Sequence, residues 1–374
     1  MARMGTGEDD DADITVIVEA LPHQRKRSAD PPSDDNIDKE RDLTYGRRGS
    51  FPLITMPLKT VEKATGALFG KLFPAYDDTL FLSSMELLAK RFSENKFPLK
   101  WFKGKKCLDV GCGGGRYSLA LAGLGAKEVQ GIDVSKAAVA DARKRAKAMG
   151  VKNVKFQVGS ALDLPFADAS FDCVIFSGVL MITEEPVKAL AEMARVTKPG
   201  GMLYLLVYAT EGIRWPLVEM LRPLAMTVGF EAMDRAVADA GLAANRRRTY
   251  LDDLLVPYID FYSWECLKDM LKDKGFSKVD RWKKGRLDHE ENLTAYLKDM
   301  EGFFQIMDAA ASSRNKDIKK YKEAFAEGRD LCKSVVDYVR NMKKLVDAGK
   351  LKEKDAMTML VGQGHHRVVA WRDK

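Results

Sequence analysis

No stretch of the 374-residue chain approaches the roughly 20 consecutive apolar residues needed to span a bilayer. The N-terminus has no basic-then-apolar signal peptide, and its early aspartate run argues against a transit peptide. Both absences predict a soluble, cytoplasmic protein without a transmembrane segment. Cysteine is sparse: Cys107, Cys112, Cys173, Cys266 and Cys332 include no CxxC pair. The first three lie in apolar strand or turn patterns, where a free thiol behaves as a small hydrophobe. Neither a disulfide framework nor a zinc cluster is expected, which fits a reducing compartment. Histidine is rarer still, with His23, His289, His365 and His366 alone. No internal repeat is visible.

What is present is enough for a large core. Hydrophobic residues make up 46% and charged residues 31%, sufficient for one core with a cap. The net charge of +7 is unevenly spread: residues 1–50 sum to −4 and residues 51–374 to +11. Such an excess is compatible with an anionic substrate or with nucleic acid. The basic residues are mostly interleaved with acids, as on solvated helix faces, which disfavours nucleic acid as a partner.

Composition divides the chain. Residues 1–50 contain EDDDAD, QRKR and DPPSDD with few large apolar side chains, and are expected to be disordered and dispensable for folding. A short apolar run at 14–18 is the one candidate strand there. Residues 51–100 carry two stretches of helical periodicity, 58–73 and 80–92, a helical lid or packing layer before the core. From 105 to 208 strand and helix patterns alternate with short joints. Strands are expected at 106–110, 128–133, 154–158, 172–176 and 202–208, and helices at 117–124, 136–149 and 187–196. That alternation implies a parallel sheet. Residues 209–262 read as an irregular, partly amphipathic cap insertion. Ser263 reads as the N-cap of a helix over 264–274, stopped by Gly275. Residues 276–282 resemble a sixth strand, 290–360 a long helical region, and 367–371 a last strand.

The chemistry is concentrated in four motifs. Leu108-Asp109-Val110-Gly111-Cys112-Gly113-Gly114-Gly115 closes a strand and opens a helix. Glycines there let the backbone turn tightly and approach a ligand, and the helix N-terminus offers free N–H groups. Alone, such a loop serves a dinucleotide, a phosphate or nothing. Gly131-Ile132-Asp133-Val134 ends the next strand with a carboxylate placed to accept from ribose hydroxyls. Gly159-Ser160-Ala161-Leu162-Asp163-Leu164-Pro165-Phe166 follows, and Arg195-Val196-Thr197-Lys198-Pro199-Gly200-Gly201 is a helix stop turning into a strand.

In this order and spacing the motifs resemble the class I S-adenosylmethionine (SAM)-dependent methyltransferases, most of all the group that holds the ubiquinone- and menaquinone-pathway and many natural-product enzymes. The resemblance covers about residues 105–208. It implies an α/β, Rossmann-like, doubly wound seven-stranded sheet with its last strand antiparallel. The SAM-binding core would occupy 101–285 and 363–374, with a helical cap insertion at 209–262 and another at 286–362. It implies that Gly111, Gly113 and Gly115 lie against the methionine part of SAM, and that Asp109 supports the loop and the ligand's ammonium. Asp133 would accept both ribose hydroxyls, with Val134 against the adenine. Ser160, Ala161 and Leu162 would line the adenine edge, and Ser177 with Gly178 the methyl-donor pocket. The family often has Asp where this chain has Ser160. A hydroxyl still accepts from the adenine amino group, but the charge-assisted bond is lost, so either SAM binds more weakly or another group compensates.

Asp163, Asp168 and Asp172 belong to the family's ordinary loop pattern, and Trp215, Trp264 and Tyr262 are expected to pack rather than to stack on substrate. If 276–282 and 367–371 are the last two strands, His289, His365 and His366 emerge at the carboxyl edge of the parallel strands, where ligands bind in open α/β folds. They are ordinary loop histidines, proton-handling groups or, least favoured, a metal site. The expected activity is methyl transfer from SAM to a small-molecule or lipid-like acceptor under helical caps. The alternatives are a tRNA- or protein-modifying methyltransferase and a non-catalytic SAM-binding protein.

Overall fold

The computed structural model describes residues 47–49 and 58–374. Of the segment expected to be disordered, only Arg47–Gly49 (β1) falls among them, as a short strand; the run at 14–18 and His23 lie outside the described residues. Two helices follow, Leu58–Leu72 (α1) and Asp78–Glu94 (α2). Asp77 caps the second, its carboxylate accepting from Leu80 N at 2.7 Å.

Strands buried on both faces should read as continuous apolar runs. Phe171–Ser177 (β5), in the middle of the sheet, does so over Cys173–Phe176, whereas its neighbour Lys106–Val110 (β2) is buried from Cys107 on but carries the Asp109 carboxylate within the run. Glu128–Asp133 (β3) lies next to the edge strand Val154–Val158 (β4), which is the more exposed of the two. Thr197–Tyr208 (β6) completes the parallel set. Between them run Arg116–Gly123 (α3), Lys136–Ala148 (α4) and Pro186–Val196 (α5). Ser135 caps α4 through its hydroxyl, and Pro186 sits in the first turn of α5, where its missing N–H costs nothing.

After β6 the chain is not irregular as its polarity suggested. It forms three helices, Arg214–Val228 (α6), Phe230–Asp239 (α7) and Ala244–Leu255 (α8), then a strand Asp260–Tyr262 (β7) that pairs antiparallel with β1. Ser263 caps Trp264–Asp273 (α9) as expected, accepting from Cys266 N. Lys278–Trp282 (β8) precedes five helices: Asp288–Glu291 (α10), Leu293–Ala311 (α11), Lys316–Lys319 (α12), Lys322–Asp347 (α13) and Glu353–Val361 (α14). The last strand, His365–Trp371 (β9), begins two residues earlier than its apolar pattern indicates. Tyr208 and Val207 of β6 pair with His365 and His366 and extend the ladder.

The seven-stranded order is β4-β3-β2-β5-β6-β9-β8, with β9 antiparallel to both neighbours. This is the expected doubly wound sheet. One face shares a continuous core with both insertions: Val174 and Leu205 of the sheet join Tyr250, Phe303 and Val336 of the helices. On the other face Phe92, Phe102 and Tyr204 pack with Trp282 and Trp371. No helix of the described residues is long and apolar enough to cross a membrane.

Candidate active site

The loop after β2 is held by the neighbouring strand. Gly111 N and Cys112 N both donate to Ile132 O, at 2.8 and 3.0 Å. Asp133, at the end of β3, accepts from Gly113 N and from Ser135 N, each at 2.8 Å, so one carboxylate fixes both the glycine loop and the start of α4. Burial raises its pKa despite those bonds. Asp109 accepts from Ser118 Oγ at 2.7 Å, and burial pushes its carboxyl up to about 6. Gly113 has φ +51, and a Cβ there would lie 2.5 Å from the Phe73 ring. The residues after α1 therefore close directly onto the loop, and only glycine permits the approach.

A cavity of about 560 Å³ opens beside this loop, within the range of sites that enclose small ligands. Asp109, Gly111, Asp133, Val134, Ala161, Leu162 and Ser177 all line it. Gly113, Gly115 and Ser160 stand behind that wall rather than in it. The Ser160 hydroxyl is hydrogen-bonded to the Glu62 carboxylate of α1 and accepts from Leu162 N at 3.0 Å. Glu62 lines the cavity and so supplies a carboxylate beside the position where the family often carries one.

At the far end the two insertions meet the sheet. Period two along β9 sends its two histidines to opposite faces. His365 lines the cavity, whereas His366, fully buried, donates from Nε2 to Tyr262 O at 2.9 Å and faces Trp264. The expectation that His366 reaches the site is thus corrected: the strand begins early enough to turn it away. His289 lines the cavity 5.7 Å from His365, ring to ring. Burial drives its pKa down to about 3, so its imidazole is neutral.

His365 is oriented by Glu290, whose Oε1 accepts from its Nδ1 at 2.9 Å and from its backbone N at 2.6 Å. The other oxygen accepts from Leu287 N at 3.0 Å and from Arg367 Nη2. Burial alone would raise the Glu290 carboxyl, but His365 and Arg367 hold it well below the usual carboxylate range. With Nδ1–H committed to Glu290, Nε2 is the ring nitrogen left for a proton or a partner. Gly364 makes the contact possible: it has φ +67, and a Cβ there would lie 2.2 Å from Glu290 Oε1.

A second buried network joins the two insertions. Arg214 of α6 donates to Asp253 of α8 at 2.6 Å and to Asp299 of α11 at 2.8 Å. Arg246 reaches Asp299 at 2.8 Å, and Tyr250 OH donates to Asp299 O at 2.9 Å. Burial would raise Asp299, yet Arg214 and Arg246 bring it down to about 2. Trp215 packs on Tyr208 with ring centroids 4.0 Å apart, and both line the cavity.

Sequence patterns find the glycine loop, Asp133 and the two cavity histidines. They do not single out Glu62, Glu290, Arg248 or the Arg214–Asp253–Asp299 set. Those residues lie in helices, where charge ordinarily means solvent, and only packing between distant segments brings them to the cavity or, for Glu290, to the back of His365. The described residues hold no cluster of three or more His, Cys, Asp or Glu suited to a metal ion.

Residues 102–222 match the family model described as a methyltransferase domain. Demethylmenaquinone methyltransferase of Bacillus velezensis is 33% identical over 147 residues, covering 39% of this chain and 63% of the relative. That of Geobacillus kaustophilus is 43% identical over 143 residues, covering 38% and 61%. The match thus spans about three fifths of these curated relatives. Among solved structures, the cyclase SpnF aligns at 20% identity with a TM-score of 0.42, over 77% of this chain and 81% of that one. The sequence matches bear out the resemblance of the core to class I SAM-dependent methyltransferases.

Proposed function

We propose that the protein is a SAM-dependent methyltransferase acting on a small-molecule acceptor, with His365 as general base. The observation that carries this reading is a single cavity bounded at one end by Asp109, Gly111 and Asp133 and at the other by His365 held by Glu290. The residues present fit SAM. The glycine loop allows close approach, Asp133 retains lone pairs for ribose hydroxyls, Glu62 and Ser160 lie at the adenine side, and Asp109 is a carboxylate for the ammonium. When bound, SAM supplies a sulfonium-activated, electrophilic methyl group.

The chain's own contribution is then alignment and proton transfer. The caps enclose the acceptor and exclude water. Tyr208 and Trp215 offer it an aromatic wall. Nε2 of His365 would accept the proton from an O–H, N–H or acidic C–H of the acceptor, and Glu290 would stabilise the resulting imidazolium. His289, neutral, is a hydrogen-bonding group rather than the base. That the cavity is a concave space lined by α1, α8 and α11 as well as the sheet supports a small acceptor over tRNA or a protein surface. Five free cysteines, four of them buried, fit a cytoplasmic enzyme.

The test is incubation with methyl-labelled SAM and a fractionated metabolite pool. Label should enter small-molecule fractions with the wild-type chain. His365→Ala should bind SAM normally and lose roughly 10²–10⁴-fold in turnover. Label appearing only in RNA or protein fractions would overturn the small-molecule reading, and wild-type turnover in His365→Ala would overturn the base.

A further inference from the structure

Arg248 lies on α8 and lines the cavity. Its guanidinium carbon stands 3.3 Å from the centroid of the Tyr76 ring and 5.4 Å from that of Phe73, the ring that closes over Gly113. Two of its nitrogens, Nε and Nη1, are buried without a hydrogen-bond partner among the described residues. Buried guanidinium nitrogens are ordinarily paired. Four other cavity arginines behave so: Arg91 donates to Tyr117 OH at 2.6 Å, Arg214 and Arg246 hold carboxylates, and Arg286 donates to Glu290 O at 3.3 Å, while Arg116 lies over the Tyr117 ring. Asp252, one helical turn further along α8, also lines the cavity but only partly offsets the burial of Arg248. Burial and the adjacent Asp253 push the Asp252 carboxyl up to about 8.

We propose that Arg248 is a carboxylate-binding group, contributed by the first cap insertion to the ligands of this cavity. The stacking decides the chemistry. Tyr76 covers one face of the guanidinium, so its N–H groups radiate in the plane and meet a planar acceptor edge-on. A carboxylate matches that fork with two parallel N–H···O bonds. Resting on the methyltransferase reading, the site has two sources of carboxylate open to it: the methionyl end of SAM, because Phe73 joins Arg248 to the glycine loop, or an aromatic carboxylic acid as acceptor, because Tyr76, Tyr208, Trp215 and Tyr250 line the same space.

The experiment is calorimetric titration of the full chain and of Arg248→Gln and Arg248→Lys, each first shown by urea unfolding to be folded. One arm compares SAM with decarboxylated SAM. The other compares benzoate with benzamide on protein saturated with S-adenosylhomocysteine. In one arm the wild type should prefer the carboxylate ligand, Arg248→Gln should lose that preference by roughly 10- to 100-fold, and Arg248→Lys should recover part of it. Loss in the first arm assigns Arg248 to the cofactor, and loss in the second assigns it to the acceptor. Equal discrimination by wild type and Arg248→Gln in both arms overturns the proposal. If neither SAM nor its decarboxylated form binds the wild type, the methyltransferase reading falls, and the comparison of benzoate with benzamide, repeated without S-adenosylhomocysteine, alone decides Arg248.

Discussion

Glu290→Gln removes one negative charge from the site and little volume, so its effect reads the electrostatics directly. The wild-type residue is 2% exposed, and its carboxylate accepts from four donors: two on His365, one at Leu287 N and one on Arg367, itself 3% exposed. Glutamine keeps one acceptor oxygen but turns an NH₂ toward a donor, and it leaves the Arg367 guanidinium buried without its counter-charge. Breaking a buried pair from one side costs about 3–5 kcal/mol, and glutamine, which retains some of the bonds, belongs near 3 kcal/mol. The assay is urea unfolding at pH 7, repeated down to pH 3. The folded carboxyl lies below its ordinary 4.5. Its stabilisation is therefore fully present above that pH and is lost as pH falls through the lower folded value. The gap between wild type and Glu290→Gln should close over that acid window. Turnover should fall about 10²–10⁴-fold, because His365 loses its orienting acceptor, while SAM affinity stays unchanged. A variant within about 0.5 kcal/mol of wild type at pH 7, or one with normal turnover, would refute the reasoning.

Other outcomes follow from the same geometry. SAM affinity, measured calorimetrically from pH 8 to 5, should decline below about pH 6, because Asp109, with its carboxyl near 6, gains a proton and loses its charge for the ligand's ammonium; a flat profile would separate Asp109 from the cofactor. Gly113→Ala should weaken SAM binding by at least about tenfold, since its Cβ would press on Phe73 from a left-handed backbone. Phe73→Ala in the same chain should restore part of that loss, and equal affinity of Gly113→Ala and wild type would show that Phe73 moves freely. Arg214→Met should destabilise by about 3–5 kcal/mol in urea, because Asp253 and Asp299 would keep their burial and lose their cation; a change below about 1 kcal/mol would mean that the methionine repacks and the carboxylates take up protons.

Strand and glycine patterns are local, and they carry the core. Hydrophobic period and the motif at 108–115 locate β2, β3, β5 and α4 to within a residue or so. Asp133 is legible because its position after a strand has a chemical reason. The start of β9 is not, since two histidines lack the apolar signature of a strand. Pairing across the sheet decides it instead, Val207 with His366 and Tyr208 with His365. That early start separates the two histidines onto opposite faces, which no periodicity over 367–371 could reveal. Glu62, Glu290 and Arg248 are illegible for a different reason. Each is a charged residue in a helix, where charge normally means solvent, and it is the meeting of α1, α8 and α10 with the sheet that gathers them around one cavity.

The central claim is that this cavity binds SAM through the glycine loop and Asp133. Calorimetric titration of the full chain and of Asp133→Ala with SAM tests it most directly, with urea unfolding as the check that the variant is folded. The wild type should bind one equivalent. The variant should lose at least about tenfold in affinity, since each charge-assisted bond from a ribose hydroxyl is worth about 1.5–3 kcal/mol and Gly113 N also loses its acceptor. No binding by the wild type, or equal binding by the two folded proteins, would contradict the account.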